Sequence, residues 1–495
     1  MPSIWLPFTR RTRSGTEYTA YSLPPEITAL QDPSFDFSPL IRRAVLDESD
    51  EQEDREEDDE LDTDSPPTPA ALSSESQNNP NSAAKSKRRC SPTFDTVVSS
   101  SKKPLKGPHR RRAPNPDKTR EKAAKKAAAA QSRRKARRVK QKIEAGHVAT
   151  ASTITQYIWP AEPFQAPLDA SALPTAKGAY SAKLENAKEK HGNRICRSLE
   201  HFIGLGFSVL TWDGITPRPL VDRYGRIIAV LVGQPDKPGY RDAANRAFAA
   251  IRKASQETQF PAAMHKHRRG LFAAINVGLS YGNGHTVPTW LNNKKYNTLA
   301  DNLLANPNIE RLAGFADAAF ALWSPNLYKY YRGKDAELRA KHPNLRRPFN
   351  SSVFFCTAFN FATNVWTFKH RDVLNLAFGW CAVQALGHFD HTKGGHLVLW
   401  DLNLVVEFPH GALILLPSAT VAHSNVPVQE GEERVSFTQF SAGRIFRYID
   451  NHCQTEKQLA AADPAEYTRL MQLKTGRWEM GLALLSTMEE LTSAV

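Results

Sequence analysis

Cysteine is scarce in this 495-residue sequence: Cys90, Cys196, Cys356, Cys381 and Cys453 are widely spaced and form no Cys-x-x-Cys pair. That argues against a disulfide scaffold and fits a reducing, intracellular compartment in which most of them are small buried residues. Long apolar runs are missing too. No stretch of about 18 apolar residues is available to span a bilayer, so no membrane association is expected. At the N-terminus Trp5 and Phe8 stand among basic and hydroxyl residues, without the apolar run of a signal peptide. Residues 119–145 are rich in Ala, Lys, Arg and Gln and favour a helix, yet they carry no heptad leucines, which excludes a zipper.

Charge is present but unevenly placed. The net charge is +14. Residues 47–64 are strongly acidic, with roughly a dozen Asp and Glu, and residues 85–142 carry roughly twenty basic residues, leaving the remainder mildly basic. Pro, Ser and charged residues dominate residues 1–150, a composition that buries too little apolar area to offset chain entropy, so this region is expected to be a disordered tail, acidic then basic. The Lys/Arg clusters at 85–89, 110–112 and 133–138 read as nuclear import signals and as a non-specific phosphate-binding surface for DNA or RNA. The acidic run is a candidate mask for the basic one.

From about Ile154 the composition becomes globular. Residues 217–234 read strand, turn, strand; residues 242–257 read helix; Ile309, Leu312, Ala313, Ala316, Phe320 and Trp323 recur at helical spacing before Ser324-Pro325. Residues 278–288 form a Gly-rich stretch with Tyr281 and His285, either a connector or a loop over a substrate mouth. Short apolar runs then follow at 353–359, 365–368, 380–386, 396–400, 404–408, 412–416 and 434–441. The fold class expected is α+β: a double-stranded β-helix (jelly-roll, cupin-like) core braced by helices. Residues 151–455 would form this domain. Residues 456–495 would add C-terminal helices, opened by the capping sequence Asp463-Pro464-Ala465-Glu466.

Four short pieces of that region carry chemistry: Lys369-His370-Arg371-Asp372, Lys393-Gly394-Gly395-His396-Leu397, Ala422-His423-Ser424 and Arg434-Val435-Ser436. In an extended segment His370 and Asp372 project to one side and Arg371 to the other. With His423 from a later strand they compose two imidazoles and a carboxylate, the facial set of non-haem Fe(II) oxygenases, which leaves positions open for the oxo-acid of 2-oxoglutarate and for O2. Arg434 suits the far carboxylate of that cosubstrate, because a guanidinium keeps its charge and offers a planar fork. Along its strand Arg434, Ser436, Thr438 and Phe440 share one face, and Val435, Phe437 and Gln439 the other. A competing His-x-Asp, His388-Phe389-Asp390, precedes a turn-rich stretch and reads as a hairpin turn.

The runs Phe378-Gly379-Trp380-Cys381, GGHLVLWDL at 394–402 and His423-Ser424-Asn425-Val426-Pro427, with the His-Arg-Asp of the first ligands, resemble the fungal branch of the Tet/JBP-like 2-oxoglutarate and Fe(II)-dependent dioxygenases, relatives of the TET 5-methylcytosine oxygenases. The resemblance spans about residues 154–453 and omits the tail. It implies iron on His370, Asp372 and His423, and 2-oxoglutarate on Arg434 with Ser436. It also implies that Asn375 contacts a flipped base, that Phe440 stacks on it, and that a methyl group on that base, most simply 5-methylcytosine in DNA, is hydroxylated. At the place of a base-contacting histidine this chain has Ala442, which leaves the choice of base open. Asn375 also reads as a turn residue and Phe440 as core. An AlkB-like enzyme would carry a second arginine where Phe440 stands. Action on 6-methyladenine or protein, or a non-catalytic nucleic-acid-binding jelly roll, are the other readings.

Overall fold

The computed structural model describes residues 147–183, 195–282 and 284–493, with Arg10, Arg11, Glu17, Tyr18 and parts of 125–137. The chain divides into two units, Met1–Asp62 and Thr63–Val495. In the first, strand β1 (Arg10–Arg11) pairs antiparallel with β2 (Glu17–Tyr18). The acidic run at 47–64 and the basic clusters at 85–89 and 110–112 lie outside the described residues. Within the helix expected over 119–145, the described residues Lys125, Lys126, Ala129, Ala130, Arg133, Arg134 and Arg137 are helical and exposed.

The second unit is built on strands β3 (Phe164–Gln165), β4 (Ser208–Leu210), β5 (Arg218–Val221), β6 (Ile227–Gly233), β7 (Ala273–Ser280), β8 (Thr289–Trp290), β9 (Cys356–Phe361), β10 (Cys381–His388), β11 (Leu397–Leu399), β12 (Leu404–Val406), β13 (Leu413–Leu416), β14 (His423–Asn425) and β15 (Glu433–Phe440). One nine-stranded sheet runs β3-β5-β6-β13-β10-β15-β9-β7-β8, and a four-stranded sheet runs β14-β11-β12-β4. Pairing is antiparallel apart from β3 with β5 and β12 with β4. The fold is therefore α+β with large mixed sheets.

Side-chain alternation decides how the sheets sit. Leu397, Leu399, Leu404 and Val406 turn inward and join Leu413 to Leu416 of β13 in one buried cluster. Val398 and Val405 turn outward onto Phe202 and Val426. The opposite face of the large sheet is covered by the helices Pro238–Glu257 and Pro307–Trp323, whose Phe248, Ile251, Ile309 and Leu312 pack with Ile275, Phe359, Val435 and Phe437. Burying each such side chain contributes about 1.5–3 kcal/mol, and a one-residue slip would turn a whole set outward, so burial fixes the register. Trp478, Leu482, Leu485 and Leu491 near the C-terminus join the main core. Among the described residues no helix is long and apolar enough to cross a membrane.

Several local expectations hold. The periodic residues from Ile309 to Trp323 are buried in one helix, capped by the Asn306 side chain. Asp463 accepts from the Glu466 amide with Pro464 in the first turn. Ser324-Pro325 does end the first helix, but a second, Pro325–Lys341, starts at once, because proline is well suited to a first helical turn.

Two expectations are corrected. Residues 365–368 form no strand: successive positions bridge different partners, Asn364 to Arg434, Thr367 to Gly270 and His370 to His423, so no continuous ladder develops. Nor is 278–288 one loop, since Gly278 to Ser280 lie in β7 and pair into a hairpin with β8. Gly278 sits at φ 142°, and a Cβ there would come within 2.3 Å of the Phe355 carbonyl oxygen. Gly278→Ala combines a disfavoured backbone with a clash and is expected to cost about 2–5 kcal/mol, read as a lowered urea midpoint; an unchanged midpoint would contradict the geometry.

Candidate metal centre

His370 and His423 are brought face to face by a two-way backbone bridge, His370 N to His423 O at 3.0 Å and His423 N to His370 O at 2.9 Å. Their ring centroids are 4.2 Å apart. Asp372 completes the group: its Oδ1 is 3.8 Å from His370 Nε2 and its Oδ2 is 3.9 Å from His423 Nε2. These gaps are too long for hydrogen bonds and a few tenths of an ångström or more wider than the roughly 3.0–3.6 Å between neighbouring ligands of one cation held at about 2.0–2.2 Å, so the three side chains would draw in on an ion. Among the described residues this is the one group of three His, Cys, Asp or Glu side chains placed to hold an ion. The three ligands come from an isolated bridge and the turn after it, plus β14, rather than from two regular strands.

The tautomers are set by the backbone. His370 Nδ1 lies 2.8 Å from the Phe368 carbonyl and His423 Nδ1 3.0 Å from that of Val421. A carbonyl only accepts, so both Nδ1 atoms donate and both Nε2 lone pairs face Asp372. Burial, and for His370 the neighbouring His423 ring, hold both imidazoles below their ordinary range and keep them neutral, the form that binds a metal. For Asp372 burial opposes ionisation, but its surroundings, with Arg269 and Arg268 the permanent charges among them, outweigh it and keep the carboxyl well below the usual carboxylate range. Asp372 keeps 20% of its side chain exposed against 7% for His370, which marks the open side of the site.

Arg434 is almost fully buried, 1% exposed, on β15. Its Nη1 donates to the Val365 carbonyl at 2.6 Å, its Nε has no partner, and burial pulls it down to about 10. Among the described residues no carboxylate pairs with it. A buried guanidinium left in this state is costly unless an anion arrives, and a dicarboxylic cosubstrate fits that need. Ser436, two residues on and on the same face, accepts from Asn360 Nδ2 at 2.7 Å, while Asn360 Oδ1 is buried without a partner. Val435 and Phe437 point the other way, into the helix-covered core, as alternation requires.

Asn375 is buried in the turn after Asp372, and its Nδ2 lies 3.2 Å from Ser418 Oγ and 3.3 Å from Cys381 Sγ. Phe440, at the end of β15, is half-buried against the main core. The competing Asp390 accepts from the amide and hydroxyl of Thr392 and pairs with Lys393, a turn as the sequence suggests. Sequence reasoning missed Arg268, whose Nη2 is 3.6 Å from Asp372 Oδ1 and whose Nη1 donates to the Arg371 carbonyl. The Lys266-His267-Arg268-Arg269 run preceding β7 was the available signal.

No protein-family model matches the chain, and no curated protein matches it. Among solved structures, similarity is found to NgTET1 in complex with 5mC DNA, at 13% identity over 52% of this chain and 91% of that one, with a TM-score of 0.35. An oxidoreductase of the 2OG-Fe(II) oxygenase family from Burkholderia pseudomallei is similar at 17% identity over 42% of this chain and 92% of that one, with a TM-score of 0.23. Likenesses at these scores carry no functional argument, which rests on the side chains themselves.

Proposed function

We propose that this chain is a 2-oxoglutarate and Fe(II)-dependent dioxygenase that hydroxylates a methyl group on a nucleic-acid base, 5-methylcytosine in DNA being the first substrate to test. The observation that carries the reading is the combination of an open two-His, one-carboxylate site with a buried guanidinium that has no anionic partner among the described residues. The two facing sheets are read as a double-stranded β-helix that brings these groups to one end.

His370, Asp372 and His423 would hold the iron, and Arg434 with Ser436 the far carboxylate of 2-oxoglutarate. With both bound, the centre would couple oxidative decarboxylation of the cosubstrate by O2 to hydroxylation of a C–H bond, giving succinate and CO2. The nucleic-acid part rests on charge: Arg268 and Arg269 bear on Asp372, and Lys369 lies 4.7 Å over the Trp400 ring beside His370. A basic rim of this kind suits phosphates. A methyl inside a duplex is out of reach, so the nucleotide must be flipped at a cost of a few kcal/mol, of which stacking on Phe440 would offset about 1–3. With its amide hydrogens engaged by Ser418 and Cys381, Asn375 offers its carbonyl oxygen, an acceptor for an exocyclic amino group. The basic tail clusters would direct the protein to the nucleus.

Aerobic incubation of the full chain with Fe(II), 2-oxoglutarate and 5-methylcytosine DNA, followed by mass spectrometry of the nucleosides, is expected to give oxidised 5-methylcytosine and matching succinate. Succinate formed only with 6-methyladenine DNA, RNA or peptide would move the substrate. Absence of succinate with every substrate would leave a non-catalytic binding protein and reject the enzyme.

A further inference from the structure

The two ligand-bearing segments are locked together by an ion pair outside the ligand set. Asp401 lies in the short 3-10 turn Trp400–Leu402 between β11 and β12. Its Oδ1 accepts from Arg371 Nη2 at 2.7 Å, and its Oδ2 accepts from the Ala422 amide at 2.7 Å. Arg371 stands between His370 and Asp372; Ala422 immediately precedes His423. Arg371 also donates from Nε to the Thr420 carbonyl at 2.9 Å. The same turn holds the other side of His423: the Trp400 amide donates to the Ala422 carbonyl at 2.9 Å and its indole Nε1 to Ser424 Oγ at 3.0 Å.

From this geometry we infer that Asp401 and Arg371 are positioning residues, which set the placement of His423 relative to His370 and Asp372 and thereby the affinity for the metal. The inference rests on the metal-site reading above. One carboxylate serves two donors from two segments, so the three ligands are held at fixed spacing before any ion arrives. An asparagine in its place keeps the shape but has a single acceptor oxygen. Either the Arg371 guanidinium or the Ala422 amide must then face an NH2 group, and one arm of the clamp opens. Lysine at 371 keeps the charge yet cannot reach Asp401 and the Thr420 carbonyl with a planar fork. Partners that orient metal ligands typically matter by about 10–100-fold in metal affinity.

The test is calorimetric titration of the full chain with Mn(II) alone. Asp401→Asn and Arg371→Lys are each expected to bind about 10–100-fold more weakly than wild type, and the double variant no more weakly than the worse single one. Gly278→Ala, destabilised in the nine-stranded sheet rather than at the clamp, should keep wild-type affinity, which separates positioning from general loosening. Affinity within twofold of wild type in either clamp variant, additive losses in the double variant, or an equal loss in Gly278→Ala would overturn the inference. Failure of the wild type to bind Mn(II) would instead reject the metal site itself.

Discussion

Arg434→Met is expected to raise the unfolding midpoint of the ligand-free protein and to erase its stabilisation by 2-oxoglutarate. The guanidinium is desolvated, and burial alone lowers its proton affinity from the ordinary arginine value to about 10. At about 1.36 kcal/mol per unit, that departure amounts to on the order of 3 kcal/mol. One hydrogen bond, to the Val365 carbonyl, stands against it, and losing it costs about 1–3 kcal/mol. Methionine keeps much of the volume, and Phe408, 5.9 Å from the guanidinium carbon, offers it an aromatic neighbour. The net expectation is a modest gain of up to about 2 kcal/mol without ligand. In the wild type a saturating anion reverses the balance: a ligand at a hundredfold its Kd adds about 2.7 kcal/mol, and the variant should gain none of it. Thermal unfolding with Mn(II), with and without 2-oxoglutarate, reads both effects. Retention of the 2-oxoglutarate shift would place the cosubstrate on another residue, and a large loss of stability without ligand would mean that Arg434 has a structural partner.

What the sequence made legible was what depends on local period. The face shared by Arg434 and Ser436, opposed to Val435 and Phe437, follows from alternation along a single strand, and β15 obeys it. The helix from Pro307 to Trp323 was legible for the same reason, with a period of 3.6. The helix Pro325–Lys341 was not, because only Leu327, Tyr328, Tyr331, Asp335 and Leu338 are buried in a segment crowded with charge, and its start falls where the preceding helix ends. β7 was hidden by the small residues Ala273, Ala274 and Gly278. Within the site, His370, Asp372 and His423 were readable as residue types in order, but not the bridge that carries them. Asn360 reaches Ser436 through the register of β9 on β15, and Asp401 reaches Arg371 across 30 positions; no local pattern encodes either contact.

His423→Ala should leave a folded chain that gains no stability from Mn(II). In the wild type the two neutral imidazoles turn their Nε2 atoms toward Asp372, so the ligand atoms are gathered before an ion binds. Binding to the folded state alone then shifts unfolding by about 2.7 kcal/mol at a hundredfold the Kd. Truncation removes one of three ligands and the ring packed on His370, while the backbone bridge between residues 370 and 423 needs no side chain and survives. The ion-free cost should therefore be that of a small cavity, about 1–3 kcal/mol, with near-native circular dichroism. Two remaining ligands give an affinity too weak to register at the same Mn(II) concentration, so the metal-dependent shift should vanish and succinate formation with it. Asp372→Asn tests the charge separately: it keeps the volume and both histidines but removes the anion that four cationic or imidazole neighbours surround, and its Mn(II) response should fall at least tenfold. If His423→Ala kept the full Mn(II) shift, the ion would be bound elsewhere, and the assignment of these three side chains as one centre would be wrong.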